Sequence, residues 1–312
     1  MPFSTILRVI AVFLGFLLTA CASPQGYIDF SRPQQQATAP TQQDEKAPLR
    51  IAFASVMSPR ETRQAYEQVV QYIGEKDGRP TVLLQRRTYA ELNKLMATGG
   101  ADIAFFSTGA YSAYQGRTPI ELLAMVQTKG TIFYNTYIIT ASDSAITDFG
   151  QLEGKVFAFT DPMSYSGKLA IDFLLMDKQT TPEAFFSQFF YTYNHDKSLW
   201  AVANHLADAA SLDSQIYDYV LQANPHLKDK VRIIAVLPQA PTGPVVMRSS
   251  LATAEKEKLR QIFYTMDEEP ALHDALQQAV IDQFVPPEAS LYDELRQKYA
   301  LQHRQGGPDY AN

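Results

Sequence analysis

The sequence predicts an α/β body made of two units, each with a mixed, mostly parallel sheet and flanking helices. Short apolar, branched and aromatic runs alternate with segments of helical periodicity, the pattern of parallel sheets covered by helices. A proline-rich break at Pro238–Pro244 separates the last strand of the second unit from a new strand. After the N-terminal segments about 250 residues remain, enough for one large domain or two medium ones.

Residues 1–20 read as a secretory leader: Arg8 is the only charge, and Val9–Leu18 is an apolar run too short to span a bilayer. Leu18-Thr19-Ala20-Cys21 resembles a bacterial lipobox, which implies cleavage before Cys21 and lipid on that residue. Cys21 is the single cysteine, so no internal disulfide is available. Residues 21–48, rich in Gln, Pro, Thr, Ala and Ser, are expected to form a lipidated, flexible tether, because they cannot bury enough apolar surface to offset their ordering entropy.

The body begins with a strand at Leu49–Ala54. A helix follows, with Tyr66, Val69, Val70 and Ile73 on one face. Thr81–Leu84 is a second strand, and Tyr89, Leu92, Leu95 and Met96 mark a helix stopped by Gly99-Gly100. Asp102–Phe106, Leu122–Val126 and Phe133–Thr140 read as further strands. A second unit starts near Ser142, with strands at Val156–Phe159, Phe189–Tyr193, Ala209–Leu212 and Val231–Val236. Val245-Val246-Met247 starts another strand, and the tail from Thr253 is helical and charged on one face.

The formal net charge is −6. Such a balance argues against nucleic acid or an anionic membrane face as partner, though not against a small anion, which responds to local donors. Catalysis lacks its motifs. There is no Gly-x-Ser-x-Gly elbow, Ser166-Gly167-Lys168 lacks the upstream glycine of a P-loop, and the five histidines show no metal-ligand spacing. No cofactor, metal or catalytic residue is expected.

In open α/β sheets, ligands bind beyond the carboxyl ends of the strands. Four loops there carry polar groups and precede helices: Ser55–Pro59, Ser107–Tyr111, Asp161–Gly167 and Asn194–Ser198. The third holds the strongest signal. Asp161-Pro162-Met163-Ser164-Tyr165-Ser166-Gly167 brings two hydroxyls and unpaired N–H groups to a helix start, a ready cradle for an oxyanion, with plain helix capping by Ser164 or Ser166 as the structural alternative.

Taken in order, these segments resemble the phosphate/phosphonate-binding family of ABC-importer solute receptors. The resemblance is carried by Asp102-Ile103-Ala104, the Asp-Pro-x-Ser-x-Ser-Gly turn, His195-Asp196, Ala201–Asn204 with Ala207–Ala209, and Pro238-x-x-Pro241-x-x-Pro244-Val245-Val246, over roughly Leu49 to Glu269. It implies a two-lobed, type II-like periplasmic-binding-protein fold that closes on its ligand. Lobe 1 would comprise residues 49–138 and 245–312 and lobe 2 residues 139–244, with crossings near Tyr137–Ala141 and Pro238–Val245. It further implies a monomer at the periplasmic or outer face of the cell membrane, a membrane permease as partner, and a small phosphorus oxyanion (phosphate, phosphite or alkylphosphonate) as ligand. The implied ligand contacts are Ser164, Tyr165, Ser166, Gly167 and His195, with Tyr134 (neighbour Tyr137) from the lobe crossing and Ser107, Thr108 and Tyr111 as wall residues.

Two departures bear on the ligand. Where many relatives have a small hydroxyl between the two serines, this chain has Tyr165, whose bulk would shrink the pocket or whose phenol would replace the hydroxyl. Where relatives that take aminoalkylphosphonates carry acidic side chains, the chain has Gln215 and Gly243. Asp213 stands close enough to compensate, but the pattern leans toward a ligand without a cationic tail. The same fold can instead present its closed form to a membrane sensor, or bind another small oxyanion.

Overall fold

The computed structural model describes residues 47–54 and 56–304. The leader, Cys21, most of the expected tether and Ser55 lie outside the described residues.

The first sheet opens with β1 (Leu49–Ala54), helix α1 (Pro59–Asp77), β2 (Thr81–Arg86), α2 (Tyr89–Ala97), β3 (Ile103–Phe105), the short α3 (Thr108–Ser112) and β4 (Ile120–Gln127). β1 is a nearly continuous apolar run because helices cover both of its faces, and five of its six residues are buried. Thr88 caps α2, its side chain accepting from the Glu91 N–H. The chain then enters the second sheet through β5 (Phe133–Ala141), followed by β6 (Val156–Phe159), a π turn at Tyr165–Leu169 leading into α4 (Ala170–Asp177), α5 (Pro182–Phe185), β7 (Gln188–Tyr191), α6 (His195–Ala203), β8 (Ala209–Asp213), α7 (Ser214–Ala223) and β9 (Val231–Pro241). It returns as β10 (Pro244–Arg248), α8 (Thr253–Tyr264), α9 (His273–Gln278), β11 (Gln283–Val285) and α10 (Asp293–Arg304).

The strand orders are β11-β4-β10-β3-β1-β2 and β7-β6-β8-β5-β9. Each sheet has a parallel trio, β2-β1-β3 or β7-β6-β8, joined on one side by an antiparallel strand that has just crossed from the other sheet. The expected parallel pairing therefore stops at the crossing strands β10 and β5, since a strand arriving from the opposite sheet enters in the reverse direction.

Two crossing expectations are corrected. Residues Tyr137–Ala141 lie inside β5, and the chain leaves the first sheet over residues 128–132, so Phe133–Ile138 belong with the second sheet. β9 continues through Pro238 to Pro241, and the return crossing is only Thr242-Gly243. Those prolines do not break the strand because β9 is an edge strand, where a missing N–H need leave no ladder bond unmade. The tail also holds a strand, β11, that its helical pattern concealed.

Asp102 ties the first sheet together. Its carboxylate meets Arg50 at 2.9 Å and Arg248 at 2.7 Å, joining β1 and β10 to the start of β3. Burial acts to raise its pKa, but the Arg50 hydrogen bonds and both guanidinium charges bring it below the usual carboxylate range. One apolar cluster contains residues of both sheets, among them Ala104 and Phe106 with Met163 and Leu169, together with Tyr292, Leu295 and Tyr299 at the C-terminal end.

At the return crossing, a Cβ on Gly243 would stand 2.1 Å from the Phe106 carbonyl oxygen, a backbone atom that cannot swing aside. Gly243→Ala should therefore lower stability by about 1–3 kcal/mol, the usual range for overpacking, and urea unfolding would read it directly. An unchanged midpoint would show that this crossing relaxes freely.

Candidate functional site

The strand ends and helix starts of the two sheets border a cavity of about 120 Å³. Val56 and Met57 after β1, Ser107 and Thr108 after β3, Ser164 after β6, His195 at the start of α6, and Asp213 and Gln215 at the start of α7 all line it, with Thr242 and Gly243 from the return crossing.

His195 is held by two backbone hydrogen bonds. Its own N–H donates to the Val56 carbonyl at 3.0 Å, reaching across to the first sheet. Its Nδ1 accepts from the Asp213 N–H at 3.1 Å. An amide N–H can only donate, so Nδ1 carries no proton and the neutral ring has its hydrogen on Nε2. Burial pushes the pKa down to about 3, which keeps the ring neutral. No described group pairs with Nε2, and the ring lines the cavity.

Asp213 faces the same space. Its Oδ1 caps α7, accepting from the N–H groups of Gln215 (2.7 Å) and Ile216 (3.3 Å). Burial raises its carboxyl to about 7, against the pull of those two hydrogen bonds. Among the described residues lining the cavity it is the one acidic side chain, and there is no Lys or Arg.

The serine turn is built as a cap, and of residues 164–167 only Ser164 lines the cavity. Ser164 Oγ accepts from the Gly167 N–H at 3.1 Å, and the Ser164 carbonyl accepts from both Lys168 and Leu169 at 3.0 Å. The bond to Leu169 spans five residues and makes the first turn a π turn, a feature frequent at functional sites. The Tyr165 and Ser166 N–H groups are left without a partner among the described residues. Ser166 Oγ is buried and makes no well-formed hydrogen bond, although its hydroxyl lies close enough to Tyr134 to influence that phenol. Gly167 lets the turn press on the end of β6, where a Cβ would meet Thr160 Cβ at 2.4 Å. Tyr165 takes neither role expected of it. Its phenol donates to the Pro238 carbonyl at 3.2 Å, and Tyr165 does not line the cavity.

From the first sheet, Ser107 and Thr108 do line the cavity. Ser107 also caps α3, and Thr108 Oγ1 donates to the Pro241 carbonyl at 2.7 Å while accepting from the Tyr134 phenol at 3.2 Å. Tyr111 is outside, packed edge-on against Tyr292. Tyr137 turns toward Tyr217. Two tyrosines that the sequence placed on core helix faces are wall residues instead. Tyr66 and Tyr89 both line the cavity, and no described group pairs with either phenol. Burial lifts Tyr66 to about 12 and Tyr89 well above the usual phenol value, so both remain neutral O–H donors.

The sheets meet on both flanks of the cavity. Asp161 Oδ2 accepts from the Tyr89 N–H at 3.2 Å, placing a carboxylate at the start of α2. Asp196 receives the Ser58 N–H at 3.1 Å and its hydroxyl, and Asn194 Nδ2 donates to the Met57 carbonyl at 3.2 Å. Gly109 packs so tightly on the serine turn that a Cβ would lie 2.1 Å from the Met163 carbonyl.

A family described as ABC transporter, phosphonate, periplasmic substrate-binding protein matches residues 51–292. The phosphonates-binding periplasmic protein of Escherichia coli K12 is 24% identical over 248 residues, covering 77% of this chain and 72% of that protein. Among solved structures, a binding-protein component of an ABC phosphonate transporter from Pseudomonas aeruginosa superposes with a TM-score of 0.76 at 20% identity, over 84% of this chain and 88% of its own. A Prochlorococcus marinus protein in complex with methylphosphonate gives 0.75 at 14% identity, over 82% and 98%. The structural neighbours are type II periplasmic binding proteins, so the shared fold is theirs.

The buried carboxyl at Asp213 makes stability depend on pH. Its folded pKa, about 7, lies above the ordinary 3.8, so the stability present below that ordinary value is lost as pH rises toward 7. His195, pushed down to about 3, acts with the opposite sense: its contribution is present above about 6.5 and lost as pH falls. Asp213→Asn keeps the cap acceptor but cannot ionise. In the ligand-free protein it should raise Tm by several degrees at pH 8 and by much less at pH 4, with the His195 dependence common to both proteins. Parallel Tm–pH curves would contradict a raised Asp213.

Proposed function

This chain belongs to the periplasmic phosphonate-binding proteins of ABC transporters, and we propose that it captures a small phosphorus oxyanion between its two lobes for delivery to a membrane permease. The candidate ligands are phosphate, phosphite and a short alkylphosphonate. The observation that carries this reading is the donor set of the cavity. His195 Nε2–H and the Tyr66 and Tyr89 phenols are neutral donors without described partners, and the Ser164 hydroxyl joins them at the helix start. Such donors suit an anion without requiring a counter-cation, and about 120 Å³ suits a ligand of few heavy atoms. The Prochlorococcus relative of the same fold holds methylphosphonate.

Asp213 sets the ligand's protonation. A carboxyl beside an oxyanion is favourable only when a hydrogen lies between them. The ligand is therefore a monohydrogen species whose P–OH meets the Asp213 carboxylate, or Asp213 itself is protonated and donates. An ammonium-bearing phosphonate would meet the same carboxylate, which makes 2-aminoethylphosphonate the comparison that separates the two chemistries. Binding drives closure only by the ligand's greater affinity for the closed state. In that state Asp161, Asp196 and His195 engage the first lobe, giving a permease one shape to recognise. Residues 1–21 fit this role as leader and lipid anchor, with residues 22–48 spacing the body from the membrane.

Calorimetric titration of the body with methylphosphonate, phosphate, phosphite, 2-aminoethylphosphonate and sulfate tests the assignment. A phosphorus oxyanion should bind. Ser164→Ala with Ser166→Ala, or His195→Ala alone, should weaken it about 10- to 100-fold, since a charge-assisted hydrogen bond is worth roughly 1.5–3 kcal/mol. Unaltered affinity in both variants would remove the oxyanion from this cavity.

A further inference from the structure

The wall of the cavity contains a residue in a conformation its side chain disfavours. Val280 has φ of 59°, in the left-handed region. It follows α9 in a Schellman arrangement: the Ile281 N–H donates to the Leu276 carbonyl at 2.9 Å and the Val280 N–H to the Gln277 carbonyl at 3.0 Å. The position Val280 occupies there is usually glycine, and a β-branched residue in this region is an outlier. The strained turn is fixed on its far side too, because Thr128 Oγ1, in the crossing between the sheets, donates to the Val280 carbonyl at 2.6 Å. A local preference overruled in this way points to a demand made by the side chain.

The location supplies that demand. Beside the cavity of about 120 Å³ lies a wider groove of about 690 Å³, bordered by Lys129, Tyr219, Gln222, His273 and Gln277. Gln215, Val280 and Ile281 line both spaces. Gln215 is tethered, its Nε2 donating to the Phe133 carbonyl at 3.2 Å. Val280 comes from the first lobe but packs against the apolar cluster of the second, which holds Ile216 and Tyr217. The apolar part of the partition is thus completed only when the lobes are together.

We propose that Val280 is a specificity-determining residue, an apolar stop that closes the oxyanion cavity off from the groove and limits the ligand to a short substituent on phosphorus. The inference rests on the oxyanion reading of the cavity given above. Removing the side chain joins the two spaces and admits longer alkyl- or arylphosphonates, whose tails then lie in the groove. Glycine at this position also removes the backbone strain, whereas alanine removes the bulk and keeps part of the strain.

The test compares the wild-type protein with Val280→Ala and Val280→Gly, titrated with methyl-, butyl- and phenylphosphonate, with Tm of the free proteins alongside. In the wild type, methylphosphonate should bind at least about 10-fold more tightly than the longer ligands, the scale on which a tight pocket discriminates by size. Both variants should bind methylphosphonate more weakly and the longer ligands more tightly, narrowing that ratio to about 3-fold or less. Val280→Gly, although the larger truncation, should melt above Val280→Ala. Equal weakening of all three ligands would make Val280 a closure contact rather than a stop and overturn the proposal. A lower Tm for Val280→Gly than for Val280→Ala would remove the strain argument. Wild-type protein that binds none of the three phosphonates would also overturn the proposal, and one that binds neither these nor phosphate nor phosphite would overturn the oxyanion reading itself.

Discussion

The structure depends on how His195 is held. Its backbone N–H reaches the Val56 carbonyl of the first lobe, while its Nδ1 receives the Asp213 N–H from the end of β8. One residue therefore joins the two lobes, fixes an imidazole tautomer and directs the single ring proton to Nε2. The consequences are chemical as well as architectural. A ring that could rotate or charge would present an acceptor or a cation at the cavity; this ring presents one neutral donor. Asp213 is bound into the same arrangement, since its backbone orients the ring while its carboxyl caps α7 and faces the cavity.

The contacts between the two sheets bury carboxylates. Asp161 rises to about 6 because it is buried, even though the N–H groups of Met163 and Tyr89 stabilise its charge. Asp196 is held by Ser58 on the opposite flank. Two acidic side chains of the second lobe thus meet neutral donors of the first. Hydrogen bonds of this kind orient more than they stabilise, because the desolvation of each carboxylate opposes what its partners contribute. In the proposed carrier, contacts of this modest strength would leave closure to the ligand's own contacts.

Much of this was legible in the chain. The strands showed as apolar runs because parallel strands buried on both faces have no polar alternation to obscure them. The Asp161–Gly167 turn and His195 could be singled out because small hydroxyls, a glycine and an imidazole stand where strands give way to helices, although serines there also serve as plain caps, as Ser164 does. What was hidden depended on three-dimensional partners. Tyr66 and Tyr89 fall at core positions of their helices, and only the approach of the second lobe turns their phenols into wall. Tyr165 faces Pro238 because an edge strand continues through that proline, against the local rule. The role of Val280 was invisible, since a valine at a helix end carries no signal until its backbone angle and its two neighbouring spaces are known.

The most direct test of the account is the protonation state of His195, read by nitrogen-15 NMR on the imidazole between pH 5 and 8 with and without methylphosphonate. The account predicts a neutral ring protonated on Nε2 throughout, with the Nε2–H resonance moving downfield as the ligand saturates. A ring protonated on Nδ1, a ring that charges near pH 6.5, or an Nε2–H resonance indifferent to a ligand that binds would contradict it.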